Sequence, residues 1–288
     1  VKLRTQSQNF PINLAGEAQL NFMKALMDRD SVANLKLADE YMSLGNVVKN
    51  YGGMNESVKK TGLMGIKANE EKAFLDFAKR SGKAEYLNII SRIDSLVTAV
   101  EDSLHDYYLL NYTFGAMKFN VRTSVVDNYL KALEADSTEA LATAAEALRK
   151  AQKDVAGVDL DFDRATVELL IPYWVKYNRL GLKPLATDGN YSALIENVYT
   201  QSILRSAEAL EAFLAAPSAD VLKNDPLYTF RKELVKFSKD NFDYVINNFN
   251  VKRAELDKIY TRGLCEMYDW SKAPDANFTL RMTYGHVK

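Results

Sequence analysis

Apolar residues recur every three or four positions along most of the chain, the spacing that places them on one face of an α-helix. The most regular run extends from residue 84 to residue 111, where we predict one helix. Further helices are predicted at about 17–42, 66–77, 122–133, 137–154, 164–179, 191–215 and 226–268. The first fifteen residues contain Pro11 and show no helical period, so they are predicted to be a non-helical leading segment.

Two specific predictions concern the N-terminal half of the chain. In the helix at 17–42, Leu35 and Met42 belong to the apolar stripe and should be buried. Gly45, the Gly52–Gly53 pair and Gly62 then follow at short intervals. Because glycine disfavours the interior of a helix, these residues predict a break.

The pattern changes at the C-terminus. Residues 278–284 alternate strictly between apolar and polar side chains, which is the period of a half-buried β-strand. A strand without a neighbour would leave its main-chain groups unpaired. We therefore expect this strand to join a sheet formed by sequence outside the chain, which would make the chain a domain inserted in a larger protein.

Composition favours a folded, mainly helical protein. Hydrophobic residues make up 47% of the 288 residues, and 13 Gly and 6 Pro are few for a fold rich in turns. The formal net charge is −1 without a basic stripe, which argues against nucleic-acid binding. The apolar runs fall short of the roughly 20 residues that cross a bilayer, so no membrane span is predicted.

The sequence offers little for catalysis by this chain alone. His105 and His286 lack the G-x-S-x-G partner of a nucleophilic serine, and His105 is expected to be a solvated helix residue. Ligand spacings such as H-x-x-x-H are missing, so neither a metal nor another cofactor is expected. The single cysteine, Cys265, is predicted to be small and buried, and Trp174 and Trp270 to lie in the core or an interface.

Three alternating aspartates precede one of the predicted helices. Asp159, Asp161 and Asp163 resemble the start of a calcium loop, which needs Gly at its sixth position and Glu at its twelfth. Those positions hold Arg164 and Leu170 here. We therefore interpret Asp161 or Asp163 as the N-cap of the helix that follows.

Residues 46–63, NVVKNYGGMNESVKKTGL, combine asparagines with a Gly-Gly step. Asn46 and Asn50 are four positions apart and share one face of a helix, and Asn55 follows in the same segment. An asparagine amide offers both donors and acceptors. Two interpretations stay open: binding of a polar main-chain or amine group at a helix break, or capping and turn formation.

This segment resembles the N-Y-W-K-N-x-x-G-M-N-x-G-L-K-K stretch of serine-peptidase family 46, the bacterial dipeptidyl peptidases 7 and 11. Three more segments resemble the family in the same order: FMKALMDRDSVANLKLADEYMSL (22–44), FDRATVELLIPYW (162–174) and YDWSKAPDANFTLRMTYGHVK (268–288). The last is the most specific, because P-D-A-N-F-T-L-R-M-T-Y-G is long and unusual in composition. The chain departs from the family at Val47 and Val48, where Tyr-Trp is usual, and at Ser57, where Gly is usual.

The resemblance implies a trypsin-like β-barrel catalytic domain, with a Ser–His–Asp triad that lies outside this chain, and an inserted helical domain that caps the cleft. Such enzymes remove dipeptides from the free N-terminus of oligopeptides, in the periplasm or at the cell surface of gram-negative bacteria. An asparagine of the helical domain helps anchor the substrate amine. By position in the motif, this role falls to Asn50 first and to Asn55 second.

We therefore predict a mainly α, irregular multi-helix bundle: a leading segment at 1–16, a helical cap domain at 17–272, and at 273–288 a linker and strand returning to the barrel. The expected function is that of the cap of a serine dipeptidyl peptidase, inactive alone. The alternative is a non-catalytic helical periplasmic binding or scaffold domain. Expected partners are an oligopeptide substrate and the catalytic domain of the same protein, with a homodimer left open and neither nucleic acid nor membrane expected.

Overall fold

A computed structural model describes residues 1, 3–135, 137–185 and 191–271 of the chain. These residues form helices and short connections, with no β-strand among them. The predicted α-helical class is therefore confirmed for the described part of the chain. The predicted strand at 278–284, the linker that precedes it and His286 lie outside the described residues.

The chain divides into two compact units. Unit 1 comprises Val1–Thr61 and Ala99–Asn248, and unit 2 comprises Gly62–Thr98 and Phe249–Lys288. The described α-helices of unit 1 are α1 (Asn9–Met27), α2 (Ser31–Lys60), α6 (Glu101–Tyr112), α7 (Thr123–Glu134), α8 (Thr138–Val155), α9 (Leu160–Tyr177), α10 (Ser192–Gln201), α11 (Ala207–Ala215), α12 (Ala219–Lys223) and α13 (Pro226–Ser238). Those of unit 2 are α3 (Leu63–Ser81), α4 (Ala84–Leu87) and α5 (Ile89–Thr98), while α14 (Tyr244–Met267) begins in unit 1 and continues in unit 2.

The core of unit 1 is rich in aromatic side chains. Trp174, on α9, is 1% exposed and packs edge-on against Phe114 and Phe237, with ring centroids 6.2 Å away in both cases. Phe230 and Phe242 are also buried in this core. The prediction that Trp174 is a core residue is confirmed.

Unit 2 has a smaller core of its own. Phe74, Tyr86 and Leu256 are buried in it, and the rings of Phe74 and Tyr260 lie 4.9 Å apart. Gly263 faces this cluster so closely that an added Cβ would stand 2.7 Å from the Phe74 ring. A larger residue therefore has no room at this position.

Helix α2 contains three of the four glycines from which a break was predicted. Gly45 and the Gly52–Gly53 pair lie inside it, and the chain turns only at Gly62, whose φ of 62° suits glycine. Glycine costs only about 1 kcal/mol relative to alanine in a helix interior, which packing can offset. Here α2 packs along α1, where an added Cβ on Gly16 would meet the Val48 side chain at 2.4 Å. The predicted break at 45–53 was therefore wrong.

Other predicted helices differ from the structure at their boundaries. The helix predicted at 84–111 is three helices, α4, α5 and α6, which belong to two units. The helix predicted at 191–215 is interrupted by a 3-10 turn at Ile203–Arg205. Side-chain periodicity does not show such interruptions, because apolar residues can keep a spacing of three or four positions across a short turn.

The first residues were predicted to be non-helical and are helical. A π-helical segment, Leu3–Gln8, leads directly into α1, and Pro11 occupies the first turn of α1. Proline is tolerated there because the first N–H groups of α1 have no acceptor within α1 itself. The domain boundary proposed at residue 16 stays a prediction.

Candidate functional site

The two candidate asparagines lie on different faces of α2. Five helical positions separate Asn50 from Asn55, and at about 100° per residue their side chains point roughly 140° apart. Asn50 is exposed and Asn55 is half-buried. Asn46 and Asn50 do share a face, as their spacing predicted, and both are exposed.

The exposed face of α2 combines these amides with apolar side chains. Leu35 is 82% exposed and Met42 is 66% exposed, and helical spacing places both in line with Asn46, Asn50 and Gly53. The expectation that Leu35 and Met42 are buried was wrong, since α2 covers α1 with its opposite side. Among the described residues, no side chain forms a hydrogen bond to the Asn50 amide, so its oxygen and NH2 group face solvent.

Asn55 lies on the side of α2 that faces α1 and is held there by another amide. The Nδ2 of Asn9, the first residue of α1, donates to the Oδ1 of Asn55 at 2.8 Å. The same Nδ2 lies 3.5 Å from the carbonyl oxygen of Tyr51. Asn9 is fully buried. One turn further along α1, the Asn13 amide can donate to the Val48 carbonyl at 3.3 Å and accept from the Gly52 N–H at 3.2 Å.

Three tyrosines lie near one another between α2 and α6. Tyr108 and Tyr112 lie one turn apart on α6 and are half-buried, as is Tyr51 on α2. Burial raises the pKa of Tyr108 and of Tyr112, and the neighbouring Tyr51 phenol adds to both shifts, so these groups stay neutral hydroxyls at neutral pH. The guanidinium of Arg4 stands over the Tyr51 ring, 5.8 Å from its centroid.

Asp163 has a structural role that sequence reasoning missed. The N-cap of α9 is Asp159, whose side chain accepts from the Phe162 N–H at 3.1 Å, so the assignment of the cap to Asp161 or Asp163 was wrong. Asp163 is instead buried, and its carboxylate accepts from the main-chain N–H groups of Lys118 (3.0 Å) and Phe119 (2.8 Å). These partners are more than forty residues away in sequence, which is why local pattern did not reveal them.

A tyrosine hydroxyl completes the Asp163 site. The hydroxyl of Tyr199, on α10, donates to Asp163 at 2.7 Å. Burial, reinforced by the adjacent carboxylate, raises the pKa of Tyr199 strongly, so it remains a donor. Asp163 thus ties α9 to α10 and to the segment before α7.

His105 is buried, against the expectation of a solvated residue. Its ring is 1% exposed, stacks on Phe10 at 5.8 Å and places Nδ1 2.9 Å from the Asp106 carboxylate. Asp106 also accepts from the main-chain N–H groups of Arg179 and Leu180, at 2.8 and 2.9 Å. This pair therefore anchors the loop that follows α9. Helical periodicity placed His105 at a polar edge, but it did not show that Phe10 of α1 covers that edge.

The other singled-out residues do not form a chemical centre. Cys265 is half-buried, so the prediction that it is buried was wrong. Trp270, predicted to lie in the core or an interface, is 69% exposed and lies outside the core of the described part. In the described ranges, no three His, Cys, Asp or Glu side chains come together to hold a metal ion. Among the same residues, no helix combines the length and the apolar character of a membrane span.

A family model and curated relatives match nearly the whole chain. The family model described as Peptidase S46 matches residues 3–288. Dipeptidyl-peptidase 7 of Phocaeicola vulgatus is 30% identical over all of this chain and 41% of its own length. An Asp/Glu-specific dipeptidyl-peptidase of Porphyromonas gingivalis is 26% identical over 90% of this chain and 37% of its own length. The chain thus spans about two-fifths of the length of the curated relatives it matches.

The fold is also similar to part of a solved structure. DPP11 of Porphyromonas endodontalis, crystallised with the dipeptide Arg-Glu, superimposes with a TM-score of 0.82 at 20% identity. The match covers 97% of this chain and 41% of that protein. At this identity the comparison establishes a shared fold, which here is a helical portion of a longer polypeptide.

Proposed function

Because this chain belongs to the peptidase S46 family, we propose that it is the helical cap domain of a serine-type dipeptidyl peptidase. The observation that carries the proposal is the family match across residues 3–288. The helical fold that the chain shares with part of DPP11 supports it further. Both curated relatives described above are named for dipeptidyl peptidase activity. The substrate would be the free N-terminus of an oligopeptide.

In this proposal the chain selects and covers the substrate and does not break bonds. The Ser–His–Asp triad would belong to a β-barrel domain of the same protein, to which residues 273–288 return. The chain alone should therefore release no dipeptide from an oligopeptide. Release of dipeptides by the purified chain, measured by chromatography of the products, would contradict the placement of catalysis in another domain. The full protein would act in the periplasm or at the cell surface.

The anchor of the substrate amine is assigned to α2. A peptidase that removes two residues must measure them from the terminal ammonium, which needs fixed acceptor oxygens. Asn50 has a solvent-facing amide oxygen, on a face where Gly53 leaves room for another chain. Asn55 is the second candidate, with one lone pair of its oxygen already used by Asn9. The apolar Leu35 and Met42, on the same face of α2 as Asn50, suit coverage by the catalytic domain.

The test is a pair of variants in the full-length protein. A hydrogen bond to a charged group contributes about 1.5–3 kcal/mol, so Asn50→Ala should raise KM for a free-amine oligopeptide by about 10- to 100-fold. The control is Asn46→Ala, which removes an equally exposed amide one turn away and should leave KM within about twofold. Dipeptide release is followed by mass spectrometry. An unchanged KM in Asn50→Ala would show that Asn50 does not anchor the amine. If the full-length protein releases no dipeptide from any free-amine oligopeptide, the chain is better explained as a binding or scaffold domain.

A further inference from the structure

We infer that Asn9, at the start of α1, is a positioning residue that sets the orientation of the Asn55 amide for substrate binding. The inference rests on the proposed function and deepens it. It concerns a residue outside the segment 46–63 that the sequence singled out. The contacts, the burial and the unpaired atom of Asn9 each bear on it.

The contacts fix which way both amides point. A carbonyl oxygen can only accept, so the Asn9 atom that faces the Tyr51 carbonyl at 3.5 Å must be the NH2 group. That NH2 group also lies 2.8 Å from the Asn55 side chain, which must therefore turn its oxygen toward Asn9. Asn55 is left with its own NH2 group and one oxygen lone pair for another ligand.

This orientation matches the end of a peptide chain. The oxygen of Asn55 can accept one N–H of a substrate ammonium, while its NH2 group can donate to the first carbonyl oxygen of the same residue. Without the Asn9 bond, the Asn55 amide would rotate freely and lose rotational freedom on binding. Holding it beforehand lowers that entropic cost, which appears in KM rather than in kcat.

The burial of Asn9 indicates that the amide at this position does not serve to stabilise the fold. Asn9 is 0% exposed, yet its Oδ1 has no hydrogen-bond partner among the described residues. A buried acceptor without a partner is destabilising, whereas an apolar side chain of similar shape would avoid the penalty. An amide at position 9 is therefore poor for folding and useful for orienting Asn55.

Asn13 provides a matched control on the same helix. Its amide also links α1 to α2, but through the main-chain groups of Val48 and Gly52 and not through Asn55. Replacing Asn13 with leucine removes a comparable link between the two helices. It leaves the Asn9–Asn55 bond in place, so a loss of helix packing can be separated from a loss of amide orientation.

The experiment compares Asn9→Leu, Asn13→Leu and Asn55→Ala in the full-length protein, with a free-amine hexapeptide as probe and dipeptide release as readout. We expect Asn9→Leu to raise KM three- to tenfold with kcat within twofold and with an unchanged or higher Tm. Asn13→Leu should leave KM unchanged. If Asn9→Leu does not fold, Asn9→Ala should give the same KM change.

The outcomes separate the inference from the function on which it rests. A normal KM in Asn9→Leu together with a raised KM in Asn55→Ala would overturn the positioning role alone. A normal KM in Asn55→Ala would remove Asn55 from the substrate site, and the role of Asn9 with it. An equal rise of KM in Asn9→Leu and Asn13→Leu would show that helix packing, and not amide orientation, is responsible.

Discussion

At the scale of single residues, buried carboxylates of unit 1 accept hydrogen bonds from main-chain N–H groups of connecting segments. In many loops, water accepts such bonds instead. Asp106, Asp163 and Asp225 each accept from main-chain N–H groups far away in sequence, at 179–180, 118–119 and 203 respectively. Each therefore pairs main-chain donors that a local turn would leave without a partner in the protein.

Removal of the Asp163 carboxylate should be costly. Asp163→Ala would leave the buried Phe119 N–H group and the buried Tyr199 hydroxyl unpaired, at about 1–3 kcal/mol each, so we expect a loss of about 2 kcal/mol or more. Asp163→Asn keeps one acceptor oxygen and should lose less. Urea unfolding of the chain measures both.

Asp161 supplies the control for that prediction. It is exposed in the first turn of α9, where its charge favours the helix N-terminus by less than about 1 kcal/mol. Asp161→Ala should therefore change stability little. Equal losses in Asp161→Ala and Asp163→Ala would contradict the assignment of the main-chain anchor to Asp163.

At the scale of elements, the stability of the α1–α2 pair depends on how closely two helices approach. Gly16 lies where Val48 leaves no space for a Cβ, while Gly53 on α2 has nothing within 4 Å of its Cβ position. The same substitution at these two sites should therefore have opposite effects. The comparison separates helix propensity from packing.

Gly16→Ala should destabilise the chain by about 1–3 kcal/mol, because Val48 is β-branched and stiff and α1 must move away from α2. Gly53→Ala should stabilise it by about 0.5–1 kcal/mol, the gain in helix propensity. Thermal unfolding of both variants checks the prediction. A stabilising Gly16→Ala would show that α1 and α2 pack less closely than the structure indicates.

At the scale of the whole molecule, each unit has a buried cluster of its own among the described residues, formed by segments that are distant in sequence. Unit 2 joins Gly62–Thr98 to the chain from Phe249 onward, while unit 1 joins the segments on either side of Gly62–Thr98. The two buried clusters share no residue. A defect in one core should therefore be felt first in its own unit.

Gly263→Ala tests this independence. The added methyl would meet the Phe74 ring at 2.7 Å, and we expect hydrogen-exchange protection to fall by at least tenfold in α3 and α5, while α7 and α8 of unit 1 keep theirs. Gly65→Ala is the control, since nothing lies within 4 Å of its Cβ position. An equal loss of protection in both units would show that they unfold as one.

The amino-acid sequence by itself determined the helical class, the helices at 122–133 and 137–154, and the family resemblance, because these depend on local spacing and on motifs. It also placed Asn46 and Asn50 on one helical face. Only the tertiary structure decided that Leu35 is exposed, that His105 and Asp163 are buried anchors, and that Asn9 holds Asn55. These features depend on contacts between residues tens of positions apart, and side-chain periodicity reports which face of a helix is apolar, not which partner covers it.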